Sequence, residues 1–422
     1  MTETIFALSS GRPPAAIGVV RVSGPRALEA ARALAGRLPE ARRAGLRSLR
    51  DGEGRALDRA LVLAFPGPAS ATGEDLVELH LHGGRAVVAA VEEALAARGL
   101  RRAEPGEFTR RALANGRIDL MEAEGLADLL AAETEAQRVA ALGAAEGLVS
   151  RLVRGWGERL NALSAQVEAA LDFEDEGDVS VDLSAVAGQA AALRREMAAA
   201  LDQPPVERVR DGVRVVLAGP PNAGKSTLLN MMVGREAAIV SPVAGTTRDV
   251  LEAPVVVEGA AYLLSDTAGL AERTDDPIEA IGVERARAAA QAADIVLWLG
   301  DGPPPRDAVR VWARADQPGR ETPPDAVDVV VSRERPESVA ALWRTVAERA
   351  RALLPALDRP ALNARARGHV ADAVAALAGA DGDPLILAEE LRAARAALAR
   401  VTGEDATEAM LDALFGRFCV GK

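Results

Sequence analysis

The stretch Gly219-Pro220-Pro221-Asn222-Ala223-Gly224-Lys225-Ser226 fits the pattern G-x-x-x-x-G-K-[ST] at every fixed position. It constrains the fold more than any other feature. Such a loop works only with a strand before it and a helix after it, so that its amides point at one place. Both are written in the sequence. Val213-Arg214-Val215-Val216-Leu217-Ala218 is the apolar run of a strand covered on both faces, and Thr227 to Val233 reads as helix. In that setting the loop amides and the helix N-terminus face phosphates, Lys225 meets the β- and γ-oxygens, and the Ser226 hydroxyl binds Mg²⁺. Of the chain's 50 basic residues only Lys225 and Lys422 are lysines. Where arginine is written almost everywhere else, a retained lysine marks a place that needs a compact point charge and not a planar fork.

Two further segments complete a nucleotide switch. Asp266-Thr267-Ala268-Gly269 follows the apolar Tyr262-Leu263-Leu264, so Asp266 is placed to hold the Mg²⁺ shell and the Gly269 amide to sense a γ-phosphate. Gly245-Thr246-Thr247-Arg248-Asp249 lies between the two, where a threonine reaches Mg²⁺. Together and in this order the three segments predict a GTPase-type P-loop domain. The residue after Gly269 is Leu270, whose aliphatic side chain cannot orient an attacking water. Another group must do so.

The 422 residues suggest about three domains. Residues 4–118 alternate short β-like runs, such as Ile17 to Val22, Leu61 to Phe65 and Leu76 to Leu81, with helical stretches. Leu120 to Ala200 shows the three-to-four spacing of helices, interrupted by an acidic break from Asp172 to Asp182, and residues 361–416 are helical again. Helices on both sides of an α/β module predict one helical domain split in sequence by an insertion, with two separate helical pieces as the alternative. Residues 1–118 carry a net charge of +5 and the remainder −17, so the first module suits an anionic ligand or nucleic acid. There is one cysteine, Cys419, no apolar run long enough for a membrane span, and no basic-then-apolar leader. The chain reads as cytoplasmic, with no membrane partner. His80, His82 and His369 are not spaced as a metal site, and His80 and His82 are expected to serve as local hydrogen-bond donors.

The loop, Gly245 to Asp249 and Asp266-Thr267-Ala268-Gly269-Leu270 resemble the MnmE (TrmE) family of bacterial tRNA-modification GTPases. So do Thr72-Gly73-Glu74-Asp75, His82-Gly83-Gly84, Pro105-Gly106-Glu107-Phe108-Thr109 and the ending Phe418-Cys419-Val420-Gly421-Lys422. The resemblance covers essentially the whole chain. It implies a multidomain α/β plus α fold. An N-terminal α/β tetrahydrofolate-binding and dimerisation domain would occupy residues 1–118. A discontinuous helical domain would occupy 119–207 and 357–422, with an inserted Ras-like G domain at 208–356. It implies K⁺-dependent GTP hydrolysis by a homodimer. With a FAD-dependent partner, MnmG (GidA), in a heterotetramer, a one-carbon unit from 5-formyl- or 5,10-methylene-tetrahydrofolate would serve to install a (carboxymethyl)aminomethyl group at C5 of the wobble uridine of certain tRNAs.

Residue by residue, the resemblance implies K⁺ at Asn222, Ser241, Val243 and Thr246, and Mg²⁺ at Ser226 and Thr247. Glu279 would orient the water, and Cys419 would serve the modification chemistry. Arg21, Glu78, Arg117 and Lys422 would contact folate, the carboxylate on the donor edge of the pterin and the cations on carboxylates. GTP would be bound by Asn222, Ala223, Gly224, Lys225, Ser226, Thr227, Ser241, Gly245, Thr246, Thr247, Asp266, Thr267, Ala268, Gly269, Asp316, Ser332 and Arg333.

The sequence departs from the family at the base-reading motif. Where Asn-Lys-x-Asp is expected it reads Ala313-Arg314-Ala315-Asp316, and the following Ser-Ala-Lys/Arg motif reads Ser332-Arg333-Glu334. Asp316 can still accept from N1 and N2 of guanine, but the amide for the other purine edge is missing. Arg12-Pro13-Pro14 departs from the usual opening Thr-Pro-x-Gly. Two alternatives stand beside this reading. One is an RNA-binding GTPase of the ribosome-assembly kind. Its KH-type Gly-x-x-Gly loop would fall at Gly379-Ala380-Asp381-Gly382, where the acidic residues favour a plain helix–helix turn. The other is a scaffold with little turnover. For Cys419, composition alone favours a small buried hydrophobe.

Overall fold

The computed structural model describes residues 3–172, 182–220, 222–236, 252–266, 293–304, 307–356, 359–379 and 383–422. The chain forms two compact units, Met1–Ala127 with Ala399–Lys422, and Asp128–Leu398.

The first unit is built on the strands β1 (Ile5–Leu8), β2 (Ile17–Ser23), β3 (Gly45–Arg50), β4 (Ala56–Phe65), β5 (Leu76–His82) and β6 (Arg101–Arg102). They form one sheet in the order β3-β4-β5-β2-β1-β6, antiparallel except for the parallel pair β1·β6. Side chains alternate across a strand. Leu79 and Leu81 of β5 therefore join Val20, Val22, Leu34, Val91 and Leu95 in a core beneath the helices Ala27–Ala35 and Arg85–Ala96. Glu78, His80 and His82 take the opposite face, and the register sets Arg21 directly across from Glu78. On that side Ile5 and Ala7 pack with Ala103 and with Phe108 of the helix Glu107–Ala114.

The C-terminal segment completes this unit. Leu414, Phe415 and Phe418 cluster with Leu120 and Ala123. Arg110 pairs with Glu408 and, at 2.9 Å, with Asp412. Val420 forms an isolated antiparallel bridge with Pro105, and the Phe108 amide donates to the backbone oxygen of Lys422 at 3.2 Å. Gly421 makes this docking possible. It has φ +97°, and a Cβ there would lie 2.3 Å from the Leu8 carbonyl oxygen.

In the second unit the helices Leu148–Asp172 and Leu183–Leu201 precede a second sheet in sequence, and Ala364–Ala376 and Pro384–Thr402 follow it. The two sets meet. Arg367 donates to the carbonyls of Leu201 (2.6 Å) and Gln203 (2.8 Å), and Arg194 to that of Val374 (3.2 Å). Residues 173–181, within the acidic break, and 380–382, within the Gly-x-x-Gly spacing, lie outside the described residues.

The second sheet comprises β7 (Val213–Ala218), β8 (Glu252–Val257), β9 (Ala260–Asp266), β10 (Ile295–Trp298), β11 (Val309–Trp312) and β12 (Val329–Val330). Its order is β12-β11-β10-β7-β9-β8, parallel throughout except for β8 on β9. The helices Lys225–Glu236 and Glu337–Arg351 bury Leu228, Met232, Leu342, Trp343 and Val346 against Val213, Val215 and Leu264. Parallel strands send their carboxyl ends to one edge, which is where open α/β sheets bind ligands. The loops after β7, β11 and β12 gather there, and β9 ends there at Asp266. Among the described residues no helix is long and apolar enough to cross a membrane.

Candidate functional site

At that edge the phosphate loop leads into the helix Lys225–Glu236. Lys225 is 5% exposed, and its ammonium donates to the carbonyls of Gly219 (3.1 Å) and Pro220 (2.9 Å). The Ser226 hydroxyl donates to Asp266 Oδ2 at 2.5 Å, and Asp266, the last residue of β9, is 3% exposed. A hydroxyl and a buried carboxylate in contact are a hard-oxygen donor set of the kind Mg²⁺ takes. The two residues come together across 40 positions of sequence because β7 and β9 are neighbours.

Arg314 follows β11 in the left-handed region, φ 63°, and reaches back over the loop. Its Nη1 donates to the Asn222 carbonyl at 2.5 Å, and its stem passes so near Gly224 that a Cβ there would lie 3.3 Å from Cγ and Cδ. Between these segments lies a cleft of about 170 Å³, with Gly224, Thr227 and Met231 on one side and Ala313, Asp316 and Arg333 on the other. The Arg333 amide donates to Asp316 Oδ1 at 3.1 Å, and this bond holds the Asp316 carboxyl below the usual carboxylate range. Asp316 is therefore an acceptor-only group, suited to the paired donors of a guanine. Ser332 is buried at 3% exposure and steadies the adjoining turn by accepting from the Glu334 amide.

The structure thus brings Asn222, Ala223, Gly224, Lys225, Ser226, Thr227, Asp266, Asp316, Ser332 and Arg333 to one edge of the second sheet. Ser241, Val243, Gly245, Thr246, Thr247, Thr267, Ala268, Gly269 and Glu279 lie outside the described residues.

The first unit holds a second candidate site. Arg21, Thr72, Phe108, Thr109, Arg117 and Lys422 line a cavity of about 360 Å³. Arg21 lies over the Phe108 ring, 5.7 Å from its centroid, and binds Glu78 at 2.8 Å. Burial pushes the Glu78 carboxyl up, but Arg21 and then His80 outweigh it and hold it below its ordinary value. Three cations around an aromatic face suit a flat ligand bearing carboxylates. Glu78 stands behind Arg21 and does not itself line the cavity. His80 bonds Glu78, and His82 bonds Asp58 at 2.7 Å. Cys419 is exposed, which overturns the buried-hydrophobe reading that composition favours.

Arg111 is a supporting residue with no signal in the motifs. At 1% exposure it ties Glu74 of the 70–75 loop (3.0 Å), Glu107 (3.0 Å) and the Glu3 carbonyl (2.8 Å) together, and Asn115 holds the Thr72 carbonyl at 2.7 Å.

Residues 4–117 match the family model described as GTP-binding protein TrmE N-terminus. Residues 120–419 match the model of the MnmE helical domain. The chain belongs to the MnmE family. It is 59% identical over 424 residues to a tRNA modification GTPase MnmE of Erythrobacter litoralis (strain HTCC2594), covering all of both chains. Proteins of the same name from Rhizorhabdus wittichii and Novosphingobium aromaticivorans are 56% and 52% identical. Each match spans all of this chain, with 97% and 100% of the relative.

Proposed function

We propose that the chain is a GTP hydrolase that serves tRNA modification. The observation that carries this reading is the single edge where the Ser226 hydroxyl meets Asp266 and where Arg314 closes over the loop beside Asp316. Lys225 supplies a fixed positive charge to the phosphates, and the Ser226–Asp266 pair would hold Mg²⁺, which supplies charge to the β- and γ-oxygens. Asn222, with Ser241, Val243 and Thr246, would hold K⁺. Glu279 would position the attacking water, since Leu270 cannot.

The finer reading rests on the resemblance and is supported by the second cavity. Arg21, Arg117 and Lys422 would bind the carboxylates of a tetrahydrofolate derivative there, and Glu78 keeps Arg21 in place. Residues 1–118 form the folate-binding and dimerisation domain. Residues 119–207 and 357–422 form one helical domain, supported by the bonds of Arg367 and Arg194 between its two parts. The G domain is inserted at 208–356. The protein works in the cytoplasm as a homodimer with the FAD-dependent MnmG. Together they use a one-carbon unit from the folate to modify C5 of the wobble uridine with a (carboxymethyl)aminomethyl group.

Phosphate release by the full chain in K⁺ and in Na⁺ tests the first part. Hydrolysis should be stimulated by K⁺, by as much as the 10³–10⁵ that an added cation contributes elsewhere. Equal rates in both salts remove K⁺ from Asn222. Glu279→Ala should cut turnover and leave nucleotide affinity nearly unchanged, because water positioning counts only in the transition state. Mass spectrometry of tRNA nucleosides from a strain lacking the chain tests the second part. Unmodified wobble uridine supports the reading, and a full complement of modification refutes it.

A further inference from the structure

The cleft beside Asp316 holds donors that this function leaves without a role. The inference rests on the proposal that the cleft takes the base of a guanine nucleotide. Guanine offers two recognition edges. N1–H and N2–H₂ are donors, whereas O6 and N7 are adjacent acceptors. Asp316 answers the first. The second needs two donors, and at position 313 the wall offers a methyl group at 5% exposure. Arg314 lines the cleft, but its Nη1 is bonded to the Asn222 carbonyl at 2.5 Å and its stem lies along Gly224.

Besides the single hydroxyl of Thr227, two polar side chains remain on the wall, Gln317 and Arg333. Both are exposed, and neither makes a side-chain hydrogen bond or salt bridge among the described residues. Their chemistry separates them. A carboxamide pairs a donor with an acceptor, which matches N6 and N7 of adenine. A guanidinium presents parallel donors, which match O6 and N7 of guanine. Arg333 is also anchored where the base must lie, because its amide is bonded to Asp316 Oδ1 at 3.1 Å. We propose that the Arg333 side chain reads the O6/N7 edge of guanine. It supplies from the loop after β12 the donors that Ala313, at the end of β11, does not have.

The test is competition binding on the full chain with GTP, 7-deaza-GTP, ITP and ATP against a fluorescent guanine nucleotide. 7-Deaza-GTP lacks only the N7 acceptor, and ITP lacks only the N2 amine that Asp316 reads. The wild-type chain should prefer GTP to 7-deaza-GTP by roughly tenfold. In Arg333→Ala that preference should fall to near one, and the preference for GTP over ATP should drop about 5- to 100-fold. The preference for GTP over ITP should stay as it was, which shows Asp316 and its surroundings intact. Adding Ala313→Asn to Arg333→Ala should restore discrimination against 7-deaza-GTP. A wild-type chain that does not distinguish the two nucleotides overturns the proposal, as does an Arg333→Ala variant that still does. Loss of the preference in Gln317→Ala alone gives the role to Gln317 instead. A wild-type chain that binds no guanine nucleotide refutes the functional reading itself, a different result from all of these.

Discussion

At the scale of the residue, the two candidate sites differ in how much of them can be read from sequence. The phosphate loop is legible because its parts are neighbours in the chain, so a spacing pattern captures them. Its clamp is not. Arg314 reaches Asn222 only because β11 delivers it there and because it adopts φ 63°, and neither fact leaves a trace in composition. Arg111 is hidden for another reason. A cation inside a helix reads as a solvated face, yet this one is 1% exposed and compensates Glu74 and Glu107, themselves at 13% and 11%. Removing it leaves Glu74 largely dry with only the Ser23 hydroxyl as a side-chain partner, while Glu107 keeps Arg101. Arg111→Ala should therefore destabilise the first unit by about 3–5 kcal/mol, as broken buried pairs do. Arg111→Lys should recover little, since one ammonium cannot span two carboxylates and a carbonyl in a planar fork. Urea-dependent hydrogen exchange of the β2 and β5 amides reads this directly. The same contacts fix a pH response. Burial pushes Glu107 up, but Arg101, the Glu104 amide and Arg111 together hold it below its ordinary value. A depressed carboxylate contributes stability that is fully present above its unfolded pKa and is lost as pH falls through the folded one. Protection of this unit should thus be flat near neutrality and decline below the ordinary glutamate value. Glu107→Gln should flatten that acid decline, and an unchanged acid limb would assign it to other carboxylates.

At the scale of the element, the buried strands declare themselves and the short edge pieces do not. β7 is an apolar run because both faces of the sheet are buried there, and the sequence alone places it. β3 shows only one fully buried residue, Leu49, in six, and β6 has two residues that exist as strand only through pairing with β1. The ending 418–422 is a similar case. Its motif is visible, but its docking depends on contacts with Leu8, Pro105 and Phe108, roughly three to four hundred positions away. Gly421 is the place to test that docking. With φ +97° and a backbone oxygen 2.3 Å from where a Cβ would sit, nothing flexible can move aside. Gly421→Ala should cost about 1–3 kcal/mol locally and displace the tail. The Phe108 amide, bonded to Lys422, should then exchange faster, and tetrahydrofolate affinity should fall because Lys422 leaves the cavity wall. Unchanged Phe108 protection in this variant would show that the tail does not depend on the glycine. The N-terminal cap of the helix Glu135–Ala145 serves as a control. There Thr134 and Gln137 form a reciprocal capping box, and Thr134→Ala should cost about 1 kcal/mol without touching folate binding.

At the scale of the whole molecule, the two candidate sites fall in different compact units. The nucleotide cleft, with Lys225, Ser226, Asp266 and Asp316, belongs to the second. Cys419 belongs to the first, on the segment that carries Lys422 into the cavity wall. Composition favours burial for a lone thiol, yet this one is exposed, so packing does not explain its presence. An exposed thiol is free to meet a substrate, and its neighbours along the tail are held by Gly421 on Leu8 and by Val420 on Pro105. It is an exposed thiol on a fixed support, three residues before the Lys422 that lines the cavity. The two activities should separate cleanly on mutation. Cys419→Ser nearly keeps the size of the side chain and removes the thiol. It should leave K⁺-stimulated phosphate release within about twofold of wild type, since no atom of the nucleotide cleft changes, and should leave thermal unfolding unmoved, as surface substitutions usually do. Wobble-uridine modification in a complementation strain should be lost. Lys225→Ala should do the reverse to the chemistry at the other site. It should abolish hydrolysis while tetrahydrofolate still binds with wild-type affinity, because Arg21, Arg117 and Lys422 are untouched. Normal tRNA modification by Cys419→Ser would remove the cysteine from the reaction and leave it as a surface residue. A parallel loss of hydrolysis in that variant would show that the tail acts on the nucleotide cleft and not on the folate chemistry.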